Sequence, residues 1–154
     1  MAEDNFEPPR APLKDPKGPR KTRPNLLAIV IGALVDFVST MIASVLLGIG
    51  YVLTAGTEGM RMEDLQAQMV ASDTYLALGS TVGLGCSVLG GYLCARFANQ
   101  NEYANALAVG IIGIITGELM VSSNVDMWTH LLSLATVPAA LLGAHLKMRG
   151  DKAE

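Results

Sequence analysis

The sequence predicts an all-α, polytopic membrane protein with four transmembrane helices in an antiparallel bundle. The first observation behind this class is how the charges are distributed. Of the 11 basic and 14 acidic residues, only Asp36 and Glu118 fall inside four long apolar stretches. The second observation is length, because each stretch has at least 20 residues, enough to cross a ~30 Å hydrocarbon core at ~1.5 Å per residue. The stretches are 25–53, 74–95, 103–125 and 127–146.

This distribution excludes several classes of protein. A soluble helix carries charged side chains along one face, and these stretches have no such face. The same distribution excludes a nucleic-acid module, and no catalytic motif for an enzyme is present. Cys86 and Cys94 lie eight residues apart in one stretch, roughly 12 Å along a helix, which is too far for a disulfide bond. We interpret both as small, reduced packing residues.

The chain begins with a polar segment, residues 1–24, that contains six of the seven prolines. Such a segment cannot bury enough apolar surface to fold, so we expect a disordered cytoplasmic tail. Its basic end, Arg20, Lys21 and Arg23, directly precedes the first apolar stretch. Basic side chains at this position contact anionic lipid headgroups, so we expect these three to lie at the bilayer surface.

The predicted elements follow in order along residues 25–147, and a short cytoplasmic tail, 148–154, ends the chain. A 20-residue outer loop, 54–73, follows the first span and is the longest connection. Within it Met62, Leu65 and Met69 recur at helical spacing, which favours a short interfacial helix, with a mobile loop as the alternative. The four spans are predicted at 25–53, 74–96, 103–122 and 127–147.

The basic residues predict the orientation. Lys and Arg near helix ends accumulate on the cytoplasmic side of a membrane. If both termini are cytoplasmic, ten of the eleven basic residues lie inside and Arg61 alone lies outside. We therefore expect both termini of the chain in the cytoplasm.

Small residues at four-residue spacing predict how the helices pack. In lipid, close approach through glycine and other small residues replaces hydrophobic driving force. The simplest interpretation is packing within one four-helix bundle, and packing between copies in a homo-oligomer is the alternative. The predicted packing glycines are Gly79, Gly83, Gly91, Gly110, Gly113 and Gly117.

Asp36 is predicted to lie near the middle of the membrane. It follows Asn25 by 11 residues, about 16 Å of helix. An ionisable group at this depth normally faces the interior of a bundle. A protonated Asp36 could donate to a hydroxyl or carbonyl of another helix. The candidate partners at this depth are Cys86, Ser87, Thr136 and the carbonyl of Leu134, which Pro138 leaves without its helical donor.

Glu118 is predicted to pair with His130 in the outer half of the membrane. The third and fourth spans form a tight hairpin that brings these residues to the same level. Thr40, Ser80 or Thr81, and Ser133 come to a similar depth. We therefore expect a polar layer to which every span contributes.

Two functional interpretations follow. Asp36, Thr40, Glu118 and His130 could form an ion path, with His130 changing its charge near neutral pH. The other interpretation, which we favour, is that they are buried polar residues that fix the helix register. With two histidines, neither paired at ligand spacing, we expect no metal site, and we expect no cofactor.

The segment Gly85-Cys-Ser-Val-Leu-Gly90-Gly91-Tyr92-Leu-Cys-Ala95-Arg96, followed by Asn105-Ala-Leu-Ala-Val-Gly110, carries a family resemblance. With an acidic residue in the first span, Gly32-Ala-Leu-Val-Asp36, it resembles a group of small bacterial four-helix membrane proteins of unknown function. The shared pattern is a G-G-Y-x-x-A-R end to the second helix. The resemblance covers about residues 25–122 and implies the bacterial inner membrane, without implying an activity.

The sequence thus favours a non-catalytic integral membrane protein that is structural or accessory to a membrane complex. The alternative is a small oligomeric transporter or channel subunit that uses Asp36, Glu118 and His130. The expected partners are the lipid bilayer and either a second copy or another membrane protein, with no nucleic acid. A cavity reaching Asp36 or Glu118 would favour transport.

Overall fold

The computed structural model describes residues 24–55, 59–98, 100–120 and 127–151. Nearly all of the predicted N-terminal tail, with Arg20, Lys21 and Arg23, lies outside these residues. The described chain is all-α, as predicted. Its helices are α1 (Leu26–Ala55), α2 (Met62–Ala71), α3 (Asp73–Ala98), α4 (Glu102–Met120), α5 (Met127–Leu134) and α6 (Thr136–Gly150).

Three helical segments are long and apolar enough to cross a membrane: Leu26–Ala55, Asp73–Ala98 and His130–Gly150. They pack together, and α4 packs with them. The predicted apolar, helical architecture is therefore present. The count of four spans stays a prediction, because α4 is shorter, with 19 residues, and carries Glu102 and Glu118.

Local sequence explains where α3 begins and how the chain turns into α4. The Ser72 hydroxyl accepts a hydrogen bond from the backbone N–H of Tyr75 at 3.4 Å, an N-cap that satisfies one free donor of the first turn. Asn101, directly before α4, has a φ of 55°. Asparagine tolerates this left-handed conformation better than most residues. The chain therefore reverses direction within a few residues, and α4 packs beside α3.

The fourth apolar stretch is divided into two helices. We predicted one span over 127–147, whereas α5 ends at Leu134 and α6 begins at Thr136. The physical reason is Pro138, which has no N–H to donate to the carbonyl of Leu134 and whose ring clashes with that turn. At the break, Ala135 bonds back to the carbonyl of Leu132 at 3.0 Å, a tighter turn than an α-helix makes.

The helices α3 and α4 contact each other, and both α1 and α6 pack against the two of them. The direction of each helix follows from its contacts. The start of α1 meets the start of α4, where the N–H of Asn25 bonds to Asn105 at 2.8 Å. Further along, α1 meets α3 where Ser87 bonds to Asp36 at 3.0 Å. Ala28 at the start of α1 packs with Ala98 at the end of α3, and Tyr103 at the start of α4 bonds to His145 near the end of α6. Accordingly α1 and α4 run in one direction, and α3 and α6 run in the other.

Burial divides the bundle into two halves across its length. Every buried residue of α1, α3, α4 and α6 falls in what we call the packed half: residues 28–36, 86–98, 105–110 and 139–144. Residues 37–55, 73–85, 111–120 and 127–138 form the open half, in which no described residue is buried. Residues 24–27, 102–104 and 145–150 lie beyond the buried residues, at the packed end. The core is thus built at one end of the bundle, largely from alanine, cysteine and glycine.

The outside of the bundle is apolar. Large side chains such as Leu34 and Leu119 are 61% and 82% exposed. A soluble protein of this size rarely leaves so many large apolar side chains in contact with water. Their exposure all around the bundle is what contact with lipid requires.

The outer loop, 54–73, contains the helix predicted there, α2. The exposed Glu63 and Asp64 lie in its first turn, where acidic side chains favour the positive end of the helix dipole. Leu65 and Met69 are half-buried, and the Met69 side chain reaches Gly48 of α1. The helix therefore packs on the open end of the bundle, and its location at a membrane interface stays a prediction.

Candidate functional site

Glycines allow the close helix contacts of the packed half. A Cβ atom on Gly32 would lie 2.6 Å from the Cβ of Cys94, so α1 and α3 touch there. A Cβ on Gly91 would overlap the carbonyl oxygen of Ala140, and one on Gly110 would lie 2.8 Å from the Cα of Val137. Real Cβ atoms do not approach so closely, so these backbones meet because glycine is present.

The predicted packing glycines therefore fall into two groups. Gly91, Gly110 and Gly113 lie at helix contacts, the last with the Thr136 methyl group 2.9 Å from its Cβ position. Gly79, Gly83 and Gly117 make no such contact within the described bundle, so a packing role for them stays a prediction. A Cβ on any of these three would meet no atom within 4 Å. The reason is that they lie in the open half, where the helices diverge.

A cavity of about 270 Å³ lies between the helices in the open half. Helices α1, α3, α4 and α5 and the first residue of α6 all line it, and it is partly open to the outside. Gly83 and Gly117 are part of its wall, which explains the empty space in front of them. Its polar lining consists of Asp36, Thr40, Ser80, Ser87, Thr116, Ser133 and Thr136.

Asp36 lies where the packed half meets the cavity. It is 93% buried (7% exposed), and its Oδ1 accepts a hydrogen bond from the Ser87 hydroxyl at 3.0 Å. Its Oδ2 points toward α4, 3.3 Å from the position of a Cβ on Gly113. No described residue donates a hydrogen bond to Oδ2. Of the partners predicted for Asp36, the structure selects Ser87.

The serine and threonine hydroxyls of the cavity are largely committed as donors. Ser80 bonds to the carbonyl of Leu76 at 2.7 Å, and Thr116 bonds to that of Ile112 at 2.8 Å. A hydroxyl has one proton and two lone pairs, so such groups can only accept further bonds. Of the Ser80 and Thr81 alternatives, Ser80 lines the cavity, whereas Thr81 is exposed and does not line it.

Glu118 and His130, predicted as a pair, lie in contact. The Glu118 Oε2 is 2.7 Å from the His130 Nδ1, and the Ser133 hydroxyl donates to Oε1 at 2.7 Å. Half of the His130 side chain is exposed, and neither residue lines the cavity. Ser133 does line it, so the three-residue cluster adjoins the cavity wall and joins α4 to α5.

Sequence reasoning missed a polar cluster at the packed end. Asn105 is fully buried; it accepts from the N–H of Asn25 and donates to the carbonyls of Gln100 and Asn101, both at 3.1 Å. The signal was available, because an asparagine inside an apolar helix needs partners. A second missed contact joins the Tyr103 hydroxyl to His145 Nδ1 at 2.8 Å.

Within the part of the chain that the structure describes, no three His, Cys, Asp or Glu side chains lie close enough to hold a metal ion. No family model, curated protein or solved structure matches the chain. The chemistry of the site itself is therefore the basis for a functional proposal. That chemistry is a buried carboxylate on the wall of an open cavity whose other described lining residues are uncharged.

Proposed function

We propose that the protein is a small membrane-embedded binding protein, a transporter or channel subunit, that admits a solute to the cavity at Asp36. The observation that carries this proposal is the cavity itself. A polar side chain with a purely structural role would be enclosed by packing, as the side chain of Asn105 is. Asp36 instead lies on the cavity wall, and its Oδ2 accepts no hydrogen bond from any described residue. Intramembrane acids in contact with cavities mark ion and substrate paths.

The proposal includes four spans with both termini in the cytoplasm. At 19 residues, α4 is about 28 Å long, close to the thickness of the hydrocarbon core. It packs against three helices that are themselves candidate spans, so it shares their environment. The packed half then lies on the cytoplasmic side and the cavity lies on the outer side.

The resemblance to small bacterial four-helix membrane proteins becomes part of the same proposal. Gly90 and Gly91 of the shared G-G-Y pattern lie at the contacts of α3 with α1 and with α6. The pattern thus supports a common way of packing the bundle. We propose the bacterial inner membrane as the location, which suits a protein with cytoplasmic termini.

A second candidate function is an accessory role in a membrane complex, formed with another membrane protein or with further copies of this chain. The observation in its favour is the open half, in which no described residue is buried. A partner that covered these helices would supply the missing packing. Because the packed half closes one end of the cavity, a continuous path would also require a partner or a conformational change.

The proposal is tested by water access to the cavity. In a chain with Cys86→Ala and Cys94→Ala, Gly83→Cys places a thiol on the cavity wall. Gly85→Cys is the matched control, because this position on the same helix is exposed and does not line the cavity. In lipid nanodiscs we expect the neutral reagent methyl methanethiosulfonate to modify Cys at 83 at least ten times faster. Equal rates at both positions would reject a water-filled cavity.

A further inference from the structure

We infer that the solute is a protonated amine with a small apolar body. This inference rests on the proposed function, because it assumes that the cavity admits a solute. It concerns what the walls of the cavity recognise. Three features of the lining carry it: a carboxylate with no cation among the described residues, four hydroxyls that can only accept further hydrogen bonds, and apolar surfaces.

The first feature is the charge balance. Asp36 is the only ionisable side chain among the described residues that line the cavity. A buried carboxylate is stabilised by a cation or by hydrogen-bond donors, and Oδ2 has neither from the described residues. A ligand that brings a positive charge and an N–H group would supply both.

The second feature is the polarity of the hydroxyls. The hydroxyls of Ser80 and Thr116 donate hydrogen bonds to carbonyls of their own helices, and the hydroxyl of Ser87 donates to Asp36. Ser133 donates to Glu118 or to the carbonyl of His130. All four hydroxyls therefore present lone pairs to the cavity. Thr40 and Thr136 also line the cavity, and their hydroxyls donate to no described residue, so they can act as donor or acceptor. Four acceptors among six hydroxyls favour a ligand with several donors, which a primary ammonium group has.

The third feature is the apolar remainder of the wall, which includes Phe37, Leu84 and Ile112. An inorganic cation prefers to be surrounded by oxygen, so it gains nothing from these side chains. An organic ammonium ion buries its body against them. The volume of about 270 Å³ lies just below the usual ~300–1,000 Å³ of small-molecule pockets, so the body must be small.

The ammonium group is distinguished from a quaternary one by its donors. A quaternary ammonium has the charge but no N–H, so it cannot bond to Oδ2 or to the hydroxyls. A neutral alcohol has one donor and no charge, and a carboxylate is repelled by Asp36. Benzylamine, benzyltrimethylammonium, benzyl alcohol and benzoate vary these properties on one aromatic body.

The test is calorimetric titration of these four probes into the protein in lipid nanodiscs, with empty nanodiscs as the blank. We expect benzylamine to bind at least ten times more tightly than the other three. Asp36→Asn keeps the shape and the hydrogen bond from Ser87, and we expect it to weaken benzylamine about ten-fold or more. Glu102→Gln removes a negative charge at the packed end, and we expect no change.

Several outcomes would overturn the inference. These are no binding of benzylamine, equal or tighter binding of another probe, or unchanged benzylamine affinity in Asp36→Asn. If Asp36→Asn does not fold, the ranking of the four probes on the unmodified protein decides alone. Sodium or potassium chloride that displaced benzylamine at equal concentration would assign the site to an inorganic ion instead.

The inference and the proposed function fail in different ways. Gly83→Leu places a larger side chain on the cavity wall, at a position where a Cβ would meet no atom within 4 Å. If benzyl alcohol or benzoate binds as tightly as benzylamine and Gly83→Leu abolishes that binding, the cavity binds solutes and the inference about amines is wrong. If Cys at 83 is no more reactive than Cys at 85, the cavity is closed to solutes and the proposed function fails.

Discussion

Ser87 supplies the one hydrogen bond that the Asp36 carboxylate accepts from the described residues, at the end of the packed half. Its hydroxyl is the donor to the buried Oδ1, at 3.0 Å. Ser87→Ala leaves the carboxylate without this bond, and an unsatisfied buried polar group costs about 1–3 kcal/mol. We expect the free energy of unfolding in detergent micelles to fall by that amount, measured by denaturant titration.

Ser80→Ala is the matched control for this variant. The Ser80 hydroxyl also lies on the cavity wall, but its bond is to the carbonyl of Leu76 in its own helix. That carbonyl keeps its helical partner when the hydroxyl is removed. We expect a much smaller change in unfolding free energy, and equal losses in the two variants would refute the special role of Ser87.

Two glycines on α3 should respond in opposite ways to the same substitution. Gly91→Ala would drive a methyl group into the backbone of Ala140, so α3 and α6 must separate. Overpacking of this kind costs about 1–3 kcal/mol or more. At Gly79 a methyl group meets no atom, and alanine is the better helix former by about 0.5–1 kcal/mol. The melting temperature should therefore fall in Gly91→Ala and should not fall in Gly79→Ala.

This contrast marks how far sequence reasoning reaches at the residue scale. The small-residue spacing of Gly79 and Gly83 is the same as that of Ser87 and Gly91. Spacing identifies one face of a helix, but it carries no information on where along the helix a neighbour diverges. The contacts of Asp36 show the same limit, since depth predicted several partners and packing selected Ser87.

At the scale of elements, α5 makes fewer contacts with its neighbours than α1, α3, α4 or α6 does. It has eight residues and is separated from α6 at Ala135. Hydrogen bonds that join Glu118 to His130 and Ser133 hold it against α4. Glu118→Gln removes the charge from both bonds. We expect faster hydrogen exchange of the α5 amides, measured by mass spectrometry, with α3 and α6 unchanged.

Tyr103→Phe provides the comparison for this experiment. It removes the bond from the Tyr103 hydroxyl to His145, which also joins two helices but lies at the packed end. We expect exchange in α5 to stay as in the unmodified protein. Exchange in α5 that is equally fast in both variants, or unchanged in Glu118→Gln, would show that Glu118 does not hold α5.

The helix boundaries illustrate what could be predicted at this scale. Hydropathy alone located the apolar helices to within a few residues, because lipid requires continuous apolar helix. The break at Ala135 was not predicted, although its cause, Pro138, was visible in the sequence. A proline can kink a membrane helix or interrupt it, and neighbouring contacts decide which. Here α5 turns toward Glu118.

At the scale of the whole molecule, the packed and open halves have different compositions for different tasks. The packed half places alanine and glycine at the helix crossings, which brings backbones together. The open half holds the cavity and the cluster of Glu118, His130 and Ser133. The sequence predicted that polar groups from every span lie at one level, but the space between them depends on helix tilt.

The number of spans decides which side of the membrane carries the C-terminus. With four spans, Met60 and Gly150 lie on opposite sides; if α4 does not cross, the C-terminal end of α6 moves to the side of Met60. Both positions are exposed.

In a chain with Cys86→Ala and Cys94→Ala, we introduce Met60→Cys or Gly150→Cys. With intact cells that express these variants, we expect a membrane-impermeant maleimide to label Cys at 60 and to label Cys at 150 only after lysis. Labelling of both in intact cells would establish three spans, because α1, α3 and α5–α6 would then cross without α4. Labelling at 150 alone would reverse the orientation and place the cavity on the cytoplasmic side.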